Sequence, residues 1–183
     1  MSNLELILIA LGLAMDAFAV SVSNGMVISN LRLRDALKFG VFFGAFQALM
    51  PLIGWAAGRI FSDYIIAFDH WVAFALLSYI GIKMIMEAGD EDSASGSTCF
   101  RVLLMLAIAT SIDALAAGIT FAFMTVNIWT SIAVIGLITL VLSTAGVLLG
   151  KRIGEALGKH AQIGGGVLLI LMGIKILVEH MFA

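Results

Sequence analysis

The chain has 183 residues, of which 62% are apolar and 12% charged, with a net charge of -2 and a mean hydropathy of +1.12. An ordinary soluble domain is roughly 45–50% apolar and about 25% charged, so this composition indicates an integral membrane protein. Little of the chain lies outside its apolar stretches, which excludes a separate soluble catalytic or nucleic-acid-binding domain. We expect its function to be performed within the bilayer.

Six stretches are long and apolar enough to cross a membrane. A spanning helix needs about 20 residues to cross a hydrocarbon layer of roughly 30 Å. The predicted transmembrane helices cover residues 4–26, 38–58, 68–87, 101–125, 129–150 and 163–182. The fold class predicted from the sequence is therefore an all-α polytopic membrane protein with six transmembrane helices.

The first predicted helix carries one aspartate, Asp16, at its midpoint. No basic residue precedes its apolar run, and the run is longer than a signal-peptide core, so we predict a permanent helix. A carboxylate near the bilayer centre costs about 2.5–3.5 kcal/mol even on mild insertion scales. A lone acid at that depth therefore indicates a functional site.

The second predicted helix contains Gln47 and, four residues later, Pro51, the only proline in the chain. Proline has no amide hydrogen for the carbonyl four residues before it, and here that carbonyl belongs to Gln47. Gln47 could thus offer both a side-chain and a backbone oxygen to a cation near mid-membrane. The alternative is an ordinary kink whose carbonyl is bonded elsewhere.

An acidic, Ser/Gly-rich connection, EAGDEDSASGSTCF, follows the third helix and is typical of a flexible linker. It divides the chain into a three-helix unit at 1–87, a linker at 88–100 and a second three-helix unit at 101–183. Lys and Arg concentrate in the first, third and fifth connections. Because these residues favour the cytoplasmic side, we predict a cytoplasmic linker and extracytoplasmic termini.

The fourth predicted helix carries the second isolated acid, Asp113, and the two halves of the chain repeat each other. An offset of 97 positions aligns Asp16 with Asp113, and an offset of 92 aligns GWAAGRI with GVLLGKRI and GIKMIME with GIKILVE. A unit of three helices is odd, so its second copy is predicted to be inverted in the membrane. Inverted repeats are typical of secondary transporters, whose substrate site lies near the midplane where the repeats meet. The alternative is an ancient duplication with two structural acids.

Small and hydroxyl residues share a helical face with each acid. The positions concerned are Gly12, Ala19 and Ser23 around Asp16, and Ala109, Ala116 and Thr120 around Asp113. Small residues let helices approach closely in lipid. We therefore expect the first and fourth helices to cross tightly, with their carboxylates converging.

Carboxylate, amide and hydroxyl oxygens are hard ligands suited to Mg²⁺, Mn²⁺ or Ca²⁺. The predicted metal ligands are Asp16, Asp113 and Gln47. Candidates for a secondary metal contact or for the ion pathway are Met15, Ser23, Asn24, Thr110, Thr120 and Ser143. Because two emptied acids repel each other, proton uptake in exchange for metal is a further hypothesis.

Met15 is the one soft ligand among these candidates, and a thioether would favour Mn²⁺ over Mg²⁺. It lies about 100° from Asp16 around a regular helix, so it can join the site only where that helix is distorted. The alternative is a methionine that faces lipid or the core.

Three stretches, MDAFAVSVSNG, FGAFQALMPLIGWAAG and ATSIDALAAGITFAF, resemble the MntP-type manganese efflux pumps of bacteria, which are related to the lysine exporter superfamily. The resemblance spans all six predicted helices. It implies a secondary transporter in the inner (plasma) membrane that exports Mn²⁺ from the cytoplasm, with Asp16 and Asp113 as functional residues. Mn²⁺ is then the transported substrate, and no cofactor is expected.

Two rival functions remain open. An intramembrane aspartyl protease also uses two aspartates, usually in a GxGD motif, whereas here the acids follow LAM and TSI. An amino-acid exporter of related fold would need a basic group at the site, and we expect Lys83 and Lys175 to reach only the membrane interface. The expected partners are a divalent metal ion and membrane lipid, without nucleic acid.

Overall fold

The structure is a computed structural model in which almost all described residues are helical. It describes residues 3–28, 31–60, 100–124 and 126–157, and positions 78, 79, 82, 85, 86, 160, 163, 164, 167, 168, 170, 171, 174, 175 and 178. The helices are α1 (Asn3–Val27), α2 (Leu33–Ile60), α3 (Phe100–Ala109), α4 (Ile112–Ala122) and α5 (Ile128–Leu157). Most of the predicted helices at 68–87 and 163–182, and linker residues 88–99, lie outside the described residues.

Three described helices are long and apolar enough to cross a membrane. Their spanning parts are Leu4–Val27, Leu33–Arg59 and Ile128–Ala156. A helix satisfies its backbone hydrogen bonds internally, which is required in lipid. The prediction of an all-helical polytopic membrane protein is confirmed to this extent.

The fourth predicted segment is broken, so the expectation of one helix over residues 101–125 is wrong. Val102–Ala109 and Ile112–Ala122 are separate helices bent by 41° at a short break, and taken as one crossing they make a fourth span. At the break the amide of Ser111 donates to the carbonyl of Ile108 at 3.1 Å, three residues back instead of four. This tightened turn follows the end of α3 at Ala109, four residues before Asp113.

The proline in the second span does not interrupt its helix. α2 continues through Pro51 to Ile60. Pro51 instead lies at a close approach of α2 to α4, because a Cβ added to Gly118 would collide with the backbone of Pro51.

The helices do not pair as the two acid-bearing faces suggested. α1 packs chiefly on α5, and α2 packs on α5 and α4, whereas α1 makes little close backbone contact with α3 or α4. The expected tight crossing of the first and fourth helices is therefore wrong. Each acid-bearing helix instead packs on a helix from the other half of the chain. The two similar faces therefore belong to helices with two equivalent partners and do not pack on each other.

Glycines at equivalent positions of the two halves pack against equivalent carbonyl groups. The offset of 92 relates the glycines, and the offset of 97 relates their partners. The matching contacts are Gly54 with Leu115 and Gly146 with Phe18, then Gly58 with Ile119 and Gly150 with Val22. The pair α1–α5 therefore packs like the pair α4–α2.

α2 and α5 cross in opposite directions at a backbone contact between Gly44 and Gly136. The offset of 92 relates these two glycines as well. The contact of Gly44 with Leu140 is matched by that of Gly136 with Ala48. This crossing lies between the two equivalent helix pairs.

Candidate metal site

Asp16 is placed inside the helix bundle by the middle of α1. The residue is only 5% exposed. Oδ1 of Asp16 accepts a hydrogen bond from Nζ of Lys175 at 3.0 Å, forming an ion pair. The first predicted metal ligand is thus buried beside a cation of this chain.

Lys175 contradicts the expectation that this residue reaches only the membrane interface. Its long aliphatic stem lets the ammonium reach Asp16. The position of Lys175 near the end of the last predicted helix did not predict this contact. One sequence signal could have found it, since the GIK motif that contains Lys175 occurs in both halves of the chain.

Asp113 lies in the first turn of α4, immediately after the break in the fourth span. The side chain is partly buried, and its Oδ1 accepts a hydrogen bond from the amide of Ala114 at 2.7 Å. The start of a helix favours a negative charge. Asp16 and Lys175 both act electrostatically on Asp113, so two carboxylates and one ammonium share this region.

Hydroxyl groups satisfy the backbone at the break. The Ser111 amide donates to the Ile108 carbonyl and therefore not to the Ala107 carbonyl, its partner in a regular helix. The Ala107 carbonyl instead accepts a hydrogen bond from the Ser111 hydroxyl at 2.6 Å. The hydroxyl of Thr110 donates to Leu106 at 3.0 Å. The Leu106 carbonyl also accepts the Thr110 amide at 3.0 Å, so only the Ala107 carbonyl depends on hydroxyl donors, chiefly that of Ser111.

Replacing Ser111 with alanine is expected to destabilise the protein by about 1–3 kcal/mol, because the Ala107 carbonyl loses the hydroxyl that replaces its helical partner. Thermal unfolding of the purified protein in detergent measures the effect. Ser131→Ala is the matched control, since the carbonyl of Asn127 accepts the Ser131 hydroxyl and the Ser131 amide, each at 3.1 Å. Equal losses for the two variants would contradict the assigned role of Ser111.

Gln47 is fully buried and joins α2 to α1. Its Nε2 donates to the carbonyl of Leu13 at 2.9 Å, one turn before Asp16. Its Oε1 has no hydrogen-bond partner among the described residues. An unpaired buried amide oxygen on the helix next to Asp16 is a suitable neutral ligand for a hard cation.

The secondary candidates divide by exposure. Met15 is 50% exposed and Thr120 is exposed, with its hydroxyl bonded to Ala116 at 3.2 Å. Asn24 is partly buried and donates to the carbonyl of Val20 at 2.8 Å. Ser23 and Thr110 are buried. On the described helices, Met15 and Thr120 therefore lie on more open faces than Asp16.

Ser143 is fully buried, and its hydroxyl has no partner among the described residues. Two further hydroxyls that the sequence analysis did not select, those of Ser21 and Thr139, share both properties. Thr139 is equivalent to Gln47 at the offset of 92, a signal that could have identified it. The repeat thus places an unpaired polar group at the same position of both halves.

The donor set fits a hard cation better than a soft one. In the described part of the chain, no three His, Cys, Asp or Glu side chains group together as metal ligands. The available donors are two carboxylates and neutral oxygens, a combination that suits Mg²⁺, Mn²⁺ or Ca²⁺.

Ionisable residues on membrane-spanning helices typically mark a substrate or ion pathway, so Asp16, Asp113 and Lys175 point to the class of membrane transporters. Comparison with known proteins agrees with this class. A family model described as "Putative manganese efflux pump" (Mntp) matches residues 30–177. The chain belongs to this family.

Relatives with the same description cover nearly the whole chain. A protein of Actinobacillus succinogenes is 51% identical over 183 residues, covering 98% of each chain. A protein of Clostridium perfringens (strain 13 / Type A) is 50% identical over 204 residues, covering 98% of this chain and 96% of its own. No solved structure matches the chain.

Proposed function

We propose that this protein exports Mn²⁺ from the bacterial cytoplasm and holds the ion at mid-membrane between Asp16 and Asp113. The observation that carries the proposal is the burial of Asp16, at 5% exposure, where it interacts electrostatically with Asp113. Two negative charges balance one divalent cation. The unpaired oxygen of Gln47 is available as a third ligand.

The proposed architecture is six transmembrane helices in two inverted three-helix repeats, at 1–87 and 101–183, joined by a cytoplasmic linker at 88–100. The matching glycine contacts support it. So do the helix directions, since α1 runs parallel to α5 and α2 runs opposite to α5, as six consecutive spans require. Both termini are then extracytoplasmic, and the inner membrane is the proposed location.

Transport by alternating access follows from this architecture. The two repeats move relative to each other and open the central site to one side at a time. The interrupted fourth span supports a site at the break, because non-helical backbone at membrane depth is tolerated where protein or a cavity surrounds it. Protons that bind the emptied carboxylates are the proposed exchange ions.

Purified protein in liposomes that enclose a Mn²⁺-sensitive dye tests the function directly. We expect saturable Mn²⁺ flux, absent from protein-free liposomes and accelerated by an imposed pH gradient. Flux no greater than in protein-free liposomes would contradict the proposed function. Flux that ignores the pH gradient would contradict only proton exchange.

The contact of Lys175 with Asp16 also supports a second candidate, export of an amino acid. A zwitterion needs one group for each of its charges, and the ammonium of Lys175 and the carboxylate of Asp113 are both present. Addition of excess amino acids to the same liposomes separates the candidates. Undiminished Mn²⁺ flux favours the metal, and inhibition by one amino acid favours the zwitterion.

A further inference from the structure

The ammonium of Lys175 occupies a position that a transported cation also needs. Its Nζ lies 3.0 Å from Oδ1 of Asp16, within hydrogen-bond range, and the two groups carry opposite charges. Lys175 carries donors and no lone pair, so it cannot itself bind a metal ion. Lys175 and Mn²⁺ therefore compete for the same carboxylate.

We propose that Lys175 is the internal counter-cation of the empty carrier: it neutralises Asp16 when Mn²⁺ is absent and leaves Asp16 when Mn²⁺ binds. This inference rests on the proposed function and adds a step to it. Lys175 is a positioning residue in that step, because it acts on the ion only through Asp16.

The charge balance of the site explains why such a cation is needed. An empty site without it would hold two carboxylates inside the bundle, where their mutual repulsion is poorly screened. An unpaired charge in a low-dielectric interior is strongly unfavourable, which would trap the carrier in an open, hydrated state. A lysine tethered beside Asp16 supplies one positive charge at high effective concentration, which leaves Asp113 for the proposed exchange proton. The unloaded carrier can then return across the membrane.

The exposure of the two partners indicates which one is free to move. The Asp16 side chain is 8% exposed and the Lys175 side chain is 46% exposed. The carboxylate is therefore fixed inside the bundle, and the ammonium reaches it from a more open side. When Mn²⁺ binds, the flexible stem of Lys175 can turn the ammonium back toward water or lipid headgroups without unpacking the helices.

The test separates net transport from exchange. Lys175→Met, Lys175→Arg and wild type are reconstituted, and Mn²⁺ binding, Mn²⁺/Mn²⁺ exchange and net Mn²⁺ efflux are measured for each. Lys38→Met is the matched control, because Lys38 also pairs with an aspartate, Asp35, at 2.9 Å but at the exposed start of α2.

We expect Lys175→Met to bind Mn²⁺ about tenfold tighter or more, since the competing charged hydrogen bond is lost. Exchange should persist, because the carrier crosses loaded in both directions. Net efflux should fall at least about tenfold, because the empty carrier returns slowly. Lys175→Arg and Lys38→Met should behave like wild type.

Unchanged binding and net efflux in Lys175→Met would overturn the inference while leaving the proposed function intact. Loss of exchange together with net efflux, in protein that still binds Mn²⁺, would overturn it too, since Lys175 would then be required by the loaded carrier. Absence of Mn²⁺ flux in wild type is a different result and counts against the proposed function itself.

Discussion

Asp16→Asn and Asp113→Asn are each expected to abolish Mn²⁺ export while leaving the protein in the membrane. Each substitution removes one of two charges that balance the ion and keeps the shape of the side chain. At position 113 the asparagine oxygen can still accept the hydrogen bond from the Ala114 amide, so the start of α4 is preserved. Loss of a direct carboxylate ligand should exceed the roughly 10- to 100-fold loss in metal affinity or activity caused by removing a residue that only hydrogen-bonds to a ligand.

Intracellular Mn²⁺ and growth in added manganese measure this effect, in bacteria that lack their own exporter. Protein in the membrane fraction is quantified in parallel. Asp35→Asn is the matched control, since it makes the same chemical change in a carboxylate that pairs with Lys38 at the exposed end of α2. Normal manganese tolerance in both site variants would eliminate the proposed metal site.

Gly118→Leu is expected to prevent the packing of α4 on α2. A Cβ at this position would already overlap the backbone of Pro51, which cannot rotate away as a flexible side chain can. Even modest overpacking in a tight interior costs about 1–3 kcal/mol, and a leucine adds three further carbons to the clash. We expect little folded protein in the membrane and a lower melting temperature for any that is recovered.

Gly12→Leu is the control for helix composition and added bulk. Gly12 is an exposed position of α1, and no described residue lies within 4 Å of a Cβ added there. Leucine favours a helix over glycine by roughly 0.5–1 kcal/mol, so this variant should be as stable as wild type. Fluorescence-detected size exclusion after heating compares the two. A Gly118→Leu protein as stable as Gly12→Leu would show that the α2–α4 contact is not close.

Three of the predicted spans and the positions of the matching glycine contacts could be read from the sequence, because both depend on patterns that survive within a single chain. Apolar runs predicted both ends of α1 to within one residue, since a spanning segment must be apolar, whereas α2 begins five residues earlier and α5 ends seven residues later than predicted. The alignment of Gly54 with Gly146 matches two glycines that make equivalent helix contacts, because a glycine needed for close helix approach in one copy of the repeat is needed in the other.

The break in the fourth span and the helix pairing could not be predicted in the same way. Thr110 and Ser111 lie in an apolar run without Gly or Pro, and a hydroxyl that replaces a backbone donor looks the same in sequence as one on a continuous helix. Helix pairing depends on which faces meet. The similarity of the two acid-bearing faces does not show whether they pack on each other or on other helices. The reach of Lys175 depends on its rotamer, which helix periodicity does not record.

The crossing of α2 and α5 at Gly44 and Gly136 affects the kinetics of the proposed cycle. Backbone touches backbone there, so no side chain stands between the helices at that point. A tilt of one helix against the other about this contact changes few rotamers near the axis, and most repacking falls on residues farther from it. The barrier to reorientation is therefore set mainly by the outer ends of the helices, whose sequences can change the turnover rate without changing the ion site.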